Sequence, residues 1–231
     1  MLANCCRCID QSKIFTGVLG DMQHFWSLDD VFFENVWLTI GSFDGVHRGH
    51  QAILNQLIAG ASNQGVPAVV LTFHPHPAVV LRNRQGPYYL TLPEERAMLM
   101  GKLGIDVVIT HPFSRQVAEY TADEFVDRLV KHLRIGHLLV GHDFALGRNR
   151  QGDVNYLKGL GENHGFSVEL FQPVTDNREI ISSSAIRAAL REGDLKKVNS
   201  MLGRTYHLSG LVEHGDGRGR SIGIPTANVA V

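Results

Sequence analysis

One stretch limits the folds open to this chain more than any other. Val36 to Ile40 is a short apolar run, β-branched at Val36, Thr39 and Ile40. It leads at once into Gly41-Ser42-Phe43-Asp44-Gly45-Val46-His47-Arg48-Gly49-His50. Such a run fits a strand buried on both faces. Gly41 and Gly45 allow a tight turn and a close approach of backbone to a ligand. Ala52, Ile53, Leu54, Leu57 and Ile58 then repeat at helical spacing, so a helix begins near Val46. A strand, a glycine turn and a helix in that order place a positive helix end and its free N–H groups at the strand's carboxyl edge, which is the geometry of an anion site.

His47 and His50 are three apart and share the first helical turn. Two imidazoles there can donate to a phosphate and stabilise charge that develops on a leaving pyrophosphate. The competing reading is a pair of helix-start histidines, one of them a cap. The preceding strand and glycine turn favour the functional reading.

Similar units follow. Pro67 to Phe73 reads as a second strand, ending in His74-Pro75-His76-Pro77, where two prolines make a stiff loop. That loop is either a ligand-lining edge or a rigid surface turn. Pro93, Glu94 and Glu95 open a helix with Met98, Leu99 and Leu103 as its expected core stripe. A strand over Asp106 to Thr110 precedes Phe113, a loop aromatic that reads as local packing. Thr121 to Glu124 forms a capping box ahead of a helix burying Phe125, Leu129, Val130 and Leu133. Strand His137 to Gly141 delivers a glycine-rich loop carrying Asp143, which serves ribose hydroxyls, a magnesium water, an Asx turn or a cap. Helix Asn155 to His164 and strand Phe166 to Phe171 complete the set. Five strands alternating with helices predict an α/β, doubly wound, mostly parallel five-stranded Rossmann-like sheet.

Ile181-Ser182-Ser183-Ser184-Ala185-Ile186-Arg187 opens a further helix that ends near Gly193. One serine suffices as an N-cap. The remaining hydroxyls, the helix N–H groups and Arg187, one turn beyond Ser184, make a second phosphate cradle. Asp194 to Leu202 reads as a short helical linker. Tyr206 to His214 alternates like a strand, and Gly223-Ile224-Pro225-Thr226-Ala227-Asn228 follows.

These motifs resemble one family. The Gly41 to His50 stretch, Thr72-Phe73-His74-Pro75-His76-Pro77, Val140-Gly141-His142-Asp143-Phe144, Ile181 to Arg187 and Pro225-Thr226-Ala227-Asn228 are similar to those of the bacterial bifunctional riboflavin kinase/FAD synthetases, whose transferase module is an HxGH nucleotidyltransferase. The resemblance runs from about Met22 to the last residue, with Ser42 where the family usually has Asn and Leu146 where it usually has an aromatic. It implies AMP transfer from ATP to FMN with Mg²⁺, giving FAD and pyrophosphate. It also implies that His47, His50, Ser184 and Arg187 are catalytic, and that Gly41, Ser42, Phe43, Asp44, Gly45, His76, Asp143 and Ser183 bind the nucleotide or flavin. Thr226 and Asn228 belong to the family's kinase motif for magnesium. Another HxGH adenylyltransferase and a non-catalytic nucleotide- or flavin-binding module are the alternatives.

The domains expected are an extension over 1–21, disordered and dispensable, the transferase over 22–187, the linker over 188–203, and the incomplete start of a kinase β-barrel over 204–231. Some 28 residues cannot close a barrel, so no riboflavin kinase activity is expected of this polypeptide. The net charge of −1 gives no pull toward nucleic acid, and no apolar run nears the roughly 20 residues of a membrane span. Three cysteines, all between Cys5 and Cys8, argue against a disulfide framework and fit a reducing cytoplasm. Oligomeric state has no sequence signal.

Overall fold

The computed structural model describes residues 22–83, 88–172, 181–213, 223 and 228–229. The expected extension over 1–21 lies outside them, as do Thr226 and most of the glycine-rich segment before it.

Six parallel strands form the sheet: β1 (Gln23–Phe25), β2 (Val36–Ile40), β3 (Ala68–His74), β4 (Val107–Pro112), β5 (Ile135–Val140) and β6 (Ser167–Leu170). Their order is β1-β4-β3-β2-β5-β6, so the chain steps outward from β2 to β4, then restarts on its other side with β5. The expected parallel Rossmann-like sheet is present, with one strand more than the five read from sequence. β1 escaped because three residues carry no usable period. It exists through its pairing with β4, where Gln23, His24 and Phe25 oppose Val107, Val108 and Ile109.

Two layers of helices bury the sheet. α1 (Arg48–Gln64) and α3 (Pro93–Leu103) cover one face, where Trp37, Val70, Val108 and Leu139 pack with Leu54, Leu57, Ala97 and Met100. α5 (Ala122–Leu133) and α6 (Val154–His164) cover the other, where Leu38, Leu71, Ile109 and Leu138 pack with Phe125, Leu129 and Leu157. Successive residues of β2 thus serve opposite layers, which is why its sequence is apolar without alternation. The capping box stands as expected, Glu124 N–H donating to Thr121 Oγ1 and Thr121 N–H to Glu124 Oε2.

Two readings of faces need correction. On α3 the buried residues are Pro93, Arg96, Ala97 and Met100, whereas Met98 is exposed. Leu99 and Leu103 are partly buried against the same core, as read from sequence, so the stripe differs from the expected one at Met98 and in burying Arg96. After the loop prolines, His76 caps a short helix α2 (Pro77–Arg82) where only a stiff loop was expected, because Pro77 sits at a first-turn position that needs no N–H donor. A four-residue helix, α4 (Arg115–Ala118), follows β4.

α7 (Ser183–Glu192) and α8 (Leu195–Leu202) form a third cluster with Leu90, through Ile186, Ala189, Val198, Met201 and Leu202. Beyond α8, the segment expected as one long strand is extended only at β7 (Val212–Glu213), which pairs antiparallel with β8 (Asn228–Val229). Leu208, Leu211 and Val212 stay exposed there, leaving the expected alternation without an apolar face to cover it.

Candidate active site

β2 lies where the strand order reverses, between β3 and β5. In open α/β sheets, ligands bind at the carboxyl ends on either side of that point. Three sequence-predicted regions leave the sheet there: Gly41 to His47 from β2, the His76 loop from β3 and the Asp143 loop from β5.

The β2 turn is held in an uncommon backbone. Phe43 (φ 46°), Gly45 (φ 83°) and Val46 (φ 39°) all adopt left-handed conformations. For a β-branched residue such as Val46 that costs on the order of 1–3 kcal/mol and persists only where surroundings enforce it. Several of the motif's glycines answer to neighbours within the chain. A Cβ on Gly41 would lie 3.0 Å from the Phe43 ring, one on Gly45 2.9 Å from Leu90, and one on Gly49 3.2 Å from the His47 ring. Gly41, Phe43 and Gly45, expected to bind a nucleotide, also shape the turn, and Phe43 is buried with its ring 5.1 Å from that of His50.

His47 is the N-cap of α1, its Nδ1 accepting from His50 N–H at 3.2 Å. The cap and the functional reading are compatible, because the two use different ring nitrogens. With Nδ1 accepting, the proton of the neutral ring sits on Nε2, which is then a donor. The His50 ring stacks on it with centroids 3.5 Å apart, and His50 Nδ1 is enclosed without a partner among the described residues. Burial, opposed by the nearby Asp44 carboxylate, lowers the His47 pKa to about 4. Burial and then His47 itself push His50 well below its ordinary value. Both rings are neutral at pH 7, so they act as polar hydrogen-bonding groups.

That neutrality has a stability consequence. In the unfolded chain His47 binds a proton near pH 6.5, but folded only near 4. The unfolded state therefore holds more protons between those values. Stability from this group is complete above pH 6.5 and is lost as pH falls toward 4. At pH 5 the loss from His47 alone is about 2 kcal/mol. His24, His74 and His111 are shifted down as well, with burial the largest cause in each. Urea unfolding at pH 7.5 and 5.0 should show a lower midpoint at pH 5.0; equal midpoints would contradict the assignment of neutral buried histidines.

Asp44 and Arg187, expected to bind the nucleotide and to act in catalysis, are joined to each other and to the segment over Tyr88 to Thr91. Asp44 is fully buried, and its carboxylate accepts from Leu90 N–H at 3.0 Å, Thr91 N–H at 3.1 Å, Thr91 Oγ1 and the Arg187 guanidinium. Arg187 Nε also donates to the Tyr88 carbonyl at 2.7 Å, and its guanidinium lies over the Tyr88 ring. Each side chain is engaged by partners inside the protein. Together they lock the start of α7 against the β2 turn. Ser183 Oγ completes the lock by donating to the Asp44 carbonyl at 2.8 Å, and Ser182 Oγ caps the helix. Two of the three serines are thus structural, which leaves Ser184, exposed at the first turn of α7. Two helix N-termini meet here: the Ile181 carbonyl lies 3.5 Å from the position of a Gly49 Cβ.

Ser42 is part-exposed, its carbonyl accepting from Thr72 Oγ1 at 3.0 Å. His76 Nδ1 accepts from Ala78 N–H, and its ring meets the edge of Tyr88 at 5.0 Å. Asp143 is exposed, its backbone carbonyl held by Arg150 Nη2 at 2.6 Å. Leu146, at the family's usual aromatic position, is buried in the sheet's core. Phe113 packs edge-on against Phe73. Asn228 lies in β8, on a short exposed ladder.

Sequence reasoning missed Arg96. It is wholly buried, donating from Nη1 to Thr72 Oγ1 at 3.1 Å and from Nη2 to the Thr91 carbonyl at 3.2 Å, and it stands 3.8 Å from Asp44. A charge in the Pro93, Ala97 and Met100 stripe was the available signal, since a charged residue on an apolar helix face must find a partner.

A family model described as FAD synthetase matches residues 30–185, more than half of the chain. The chain belongs to the FAD synthetase family. A second model, described as riboflavin kinase, matches residues 202–231. A bifunctional riboflavin kinase/FMN adenylyltransferase of Escherichia coli K12 is 41% identical over 197 residues, covering 85% of this chain and 63% of that protein. Proteins of the same description from Listeria monocytogenes and Bacillus subtilis are 40% and 36% identical, covering 85% and 84% of this chain and 63% and 61% of theirs. The chain therefore spans somewhat under two thirds of these relatives. A crystal structure of a macrolide-efflux protein from Streptococcus pneumoniae superposes with a TM-score of 0.75 at 29% identity, over 91% of this chain and 69% of that one. Among the described residues no helix is long and apolar enough to cross a membrane.

Proposed function

We propose that the chain transfers the AMP group of ATP to the phosphate of FMN. A phosphate oxygen of FMN attacks the α-phosphorus in line, the bond to the β-phosphate oxygen breaks, and FAD and pyrophosphate leave. The observation that carries this reading is the stacked, neutral His47–His50 pair at the start of a 17-residue helix, at the point of strand reversal. Its donors suit charge that builds on α-phosphate and leaving-group oxygens, and transfer of this kind runs on positioning and electrostatics without a covalent intermediate.

In this reading His47 Nε2–H and His50 face the reacting phosphate. Ser184 and the first-turn N–H groups of α7 receive the β- and γ-phosphates. Ser42 and His76 line the cleft, and Asp143 meets ribose or a water of the metal. Arg187 and Asp44 act one step back, holding α7 in place. Mg²⁺ neutralises phosphate charge when bound. The residues fit it as a substrate-borne ion: among those described, no three His, Cys, Asp or Glu side chains gather to hold a metal, and Asp143 offers one exposed carboxylate. The proposed domain limits are the transferase over 22–187, the helical segment over 188–203 and the kinase start over 204–231.

The test is incubation of the purified chain with ATP, Mg²⁺ and FMN, following FAD by chromatography, with riboflavin in a parallel reaction. FAD from FMN and no FMN from riboflavin is the expected result. ATP bound without FAD or pyrophosphate would instead identify a binding module.

A further inference from the structure

The segment after α8 comes back to the turn that carries His47. Arg204 Nη1 donates to the Gly45 carbonyl at 2.9 Å and, at 3.4 Å, to that of Val46. Gln51 Nε2 ties the same Val46 carbonyl to that of Leu202, at 2.9 Å each. These are the carbonyls of the two consecutive left-handed residues before His47. The chain just beyond the arginine is anchored twice: Tyr206 N–H donates to Asn199 Oδ1 at 2.7 Å, and His207 pairs with Glu95 at 3.0 Å. Arg204 falls within the stretch that matches the riboflavin kinase model, yet its side chain serves the other module's turn.

We infer that Arg204 is a positioning residue for the adenylyl-transfer site, a clamp on the Gly45–Val46 turn supplied from beyond α8. The inference rests on the reading of that site given above. A peptide unit is planar, so the direction of the Val46 carbonyl sets the plane from which the His47 Cα departs. A left-handed valine relaxes readily to an ordinary conformation, and doing so would swing that plane and carry the imidazole with it. Two guanidinium contacts and one amide hold it in place. Catalytic groups need placement to within about 0.5 Å, and errors near 1 Å cost about a hundredfold. Both contacts run from Nη1; lysine offers a compact ammonium on a flexible stem, without the rigid guanidinium plane that fixes this nitrogen, so it replaces the clamp only in part. The functional transferase then extends to at least Arg204, past the end of the FAD synthetase match at residue 185.

The experiment uses the whole chain with Arg204→Gln, Arg204→Lys and, as a control, Arg191→Gln at an exposed site on α7. FAD formation is resolved into kcat and KM for ATP, with melting temperature and amide exchange across 41–50 measured alongside. For Arg204→Gln, kcat should fall about 10- to 100-fold with little change in KM, and exchange across 41–50 should rise while that of α5 does not. Arg204→Lys should fall between Gln and wild type, and Arg191→Gln should match wild type. A kcat for Arg204→Gln within twofold of wild type overturns the inference, as does an equal loss in the Arg191 control. Should Arg204→Gln fail to fold, Arg204→Lys decides: reduced kcat with normal melting supports the clamp, and unchanged kcat removes it. If the wild-type chain makes no FAD, the reaction assignment fails, and exchange across 41–50 left unchanged by either variant overturns the clamp separately.

Discussion

Replacing His50 with Ala is expected to slow FAD formation by about 10²–10³-fold, the scale of losing one preorganised donor to a developing charge. The ring is neutral and its Nδ1 holds no protein partner among the described residues, so its removal unpairs no charge or hydrogen bond, and any fall in melting reports only the lost packing on His47 and Phe43. A rate near wild type would remove it from the mechanism. His47 needs a different substitution, because Ala would also strip the cap from α1 at a cost of about 1 kcal/mol. His47→Asn keeps an acceptor for His50 N–H while deleting the Nε2 donor. It should therefore lose turnover comparably with little loss of stability, which separates the ring's two roles.

The second large effect is expected at Asp44. Asp44→Ala should lower stability by about 3–5 kcal/mol, because it leaves the buried Arg96 and the half-buried Arg187 without their shared counter-charge. The N–H groups of Leu90 and Thr91 would lose their acceptor as well. For a domain of this size that loss corresponds to a fall in Tm on the order of 10 °C. Activity at 20 °C should fall too, since Arg187 and Ser183 hold α7 against the turn through this residue. The two measurements together discriminate: wild-type melting with reduced activity would return Asp44 to the ligand side of the site. Low stability with KM for ATP unchanged would place it wholly in the scaffold.

Much of the fold was legible because its signals are local. The capping box of α5, the serine cap of α7 and the glycine end of α7 at Gly193 stand as the residues indicated. So do the strands β2 to β6, apart from a residue or two at their ends. β1 was not legible, because it is made only by partners more than 80 residues away. On α3, Leu99 and Leu103 pack as expected and Met98 does not, since more than one amphipathic phase fits a helix this rich in apolar residues and contact with the sheet selects one. Arg96 shows the opposite case, a visible anomaly on a helix face whose meaning waited for Thr72, Thr91 and Asp44 to converge on it.

The sequence by itself determined that a strand, a glycine turn and a helix would present two histidines beside a helix N-terminus, and that a second serine-capped helix start would follow. Those statements need only near neighbours, spacing and backbone preference. Only the tertiary structure decided which motif residues face outward and which face each other. Asp44, Ser183 and Arg187 read as ligand groups in one dimension, since their chemistry suits phosphate or metal. In three dimensions they satisfy one another across 139 and 143 residues of chain. A buried charge must find its counter-charge wherever the chain brings one, and spacing along the sequence carries no record of that meeting.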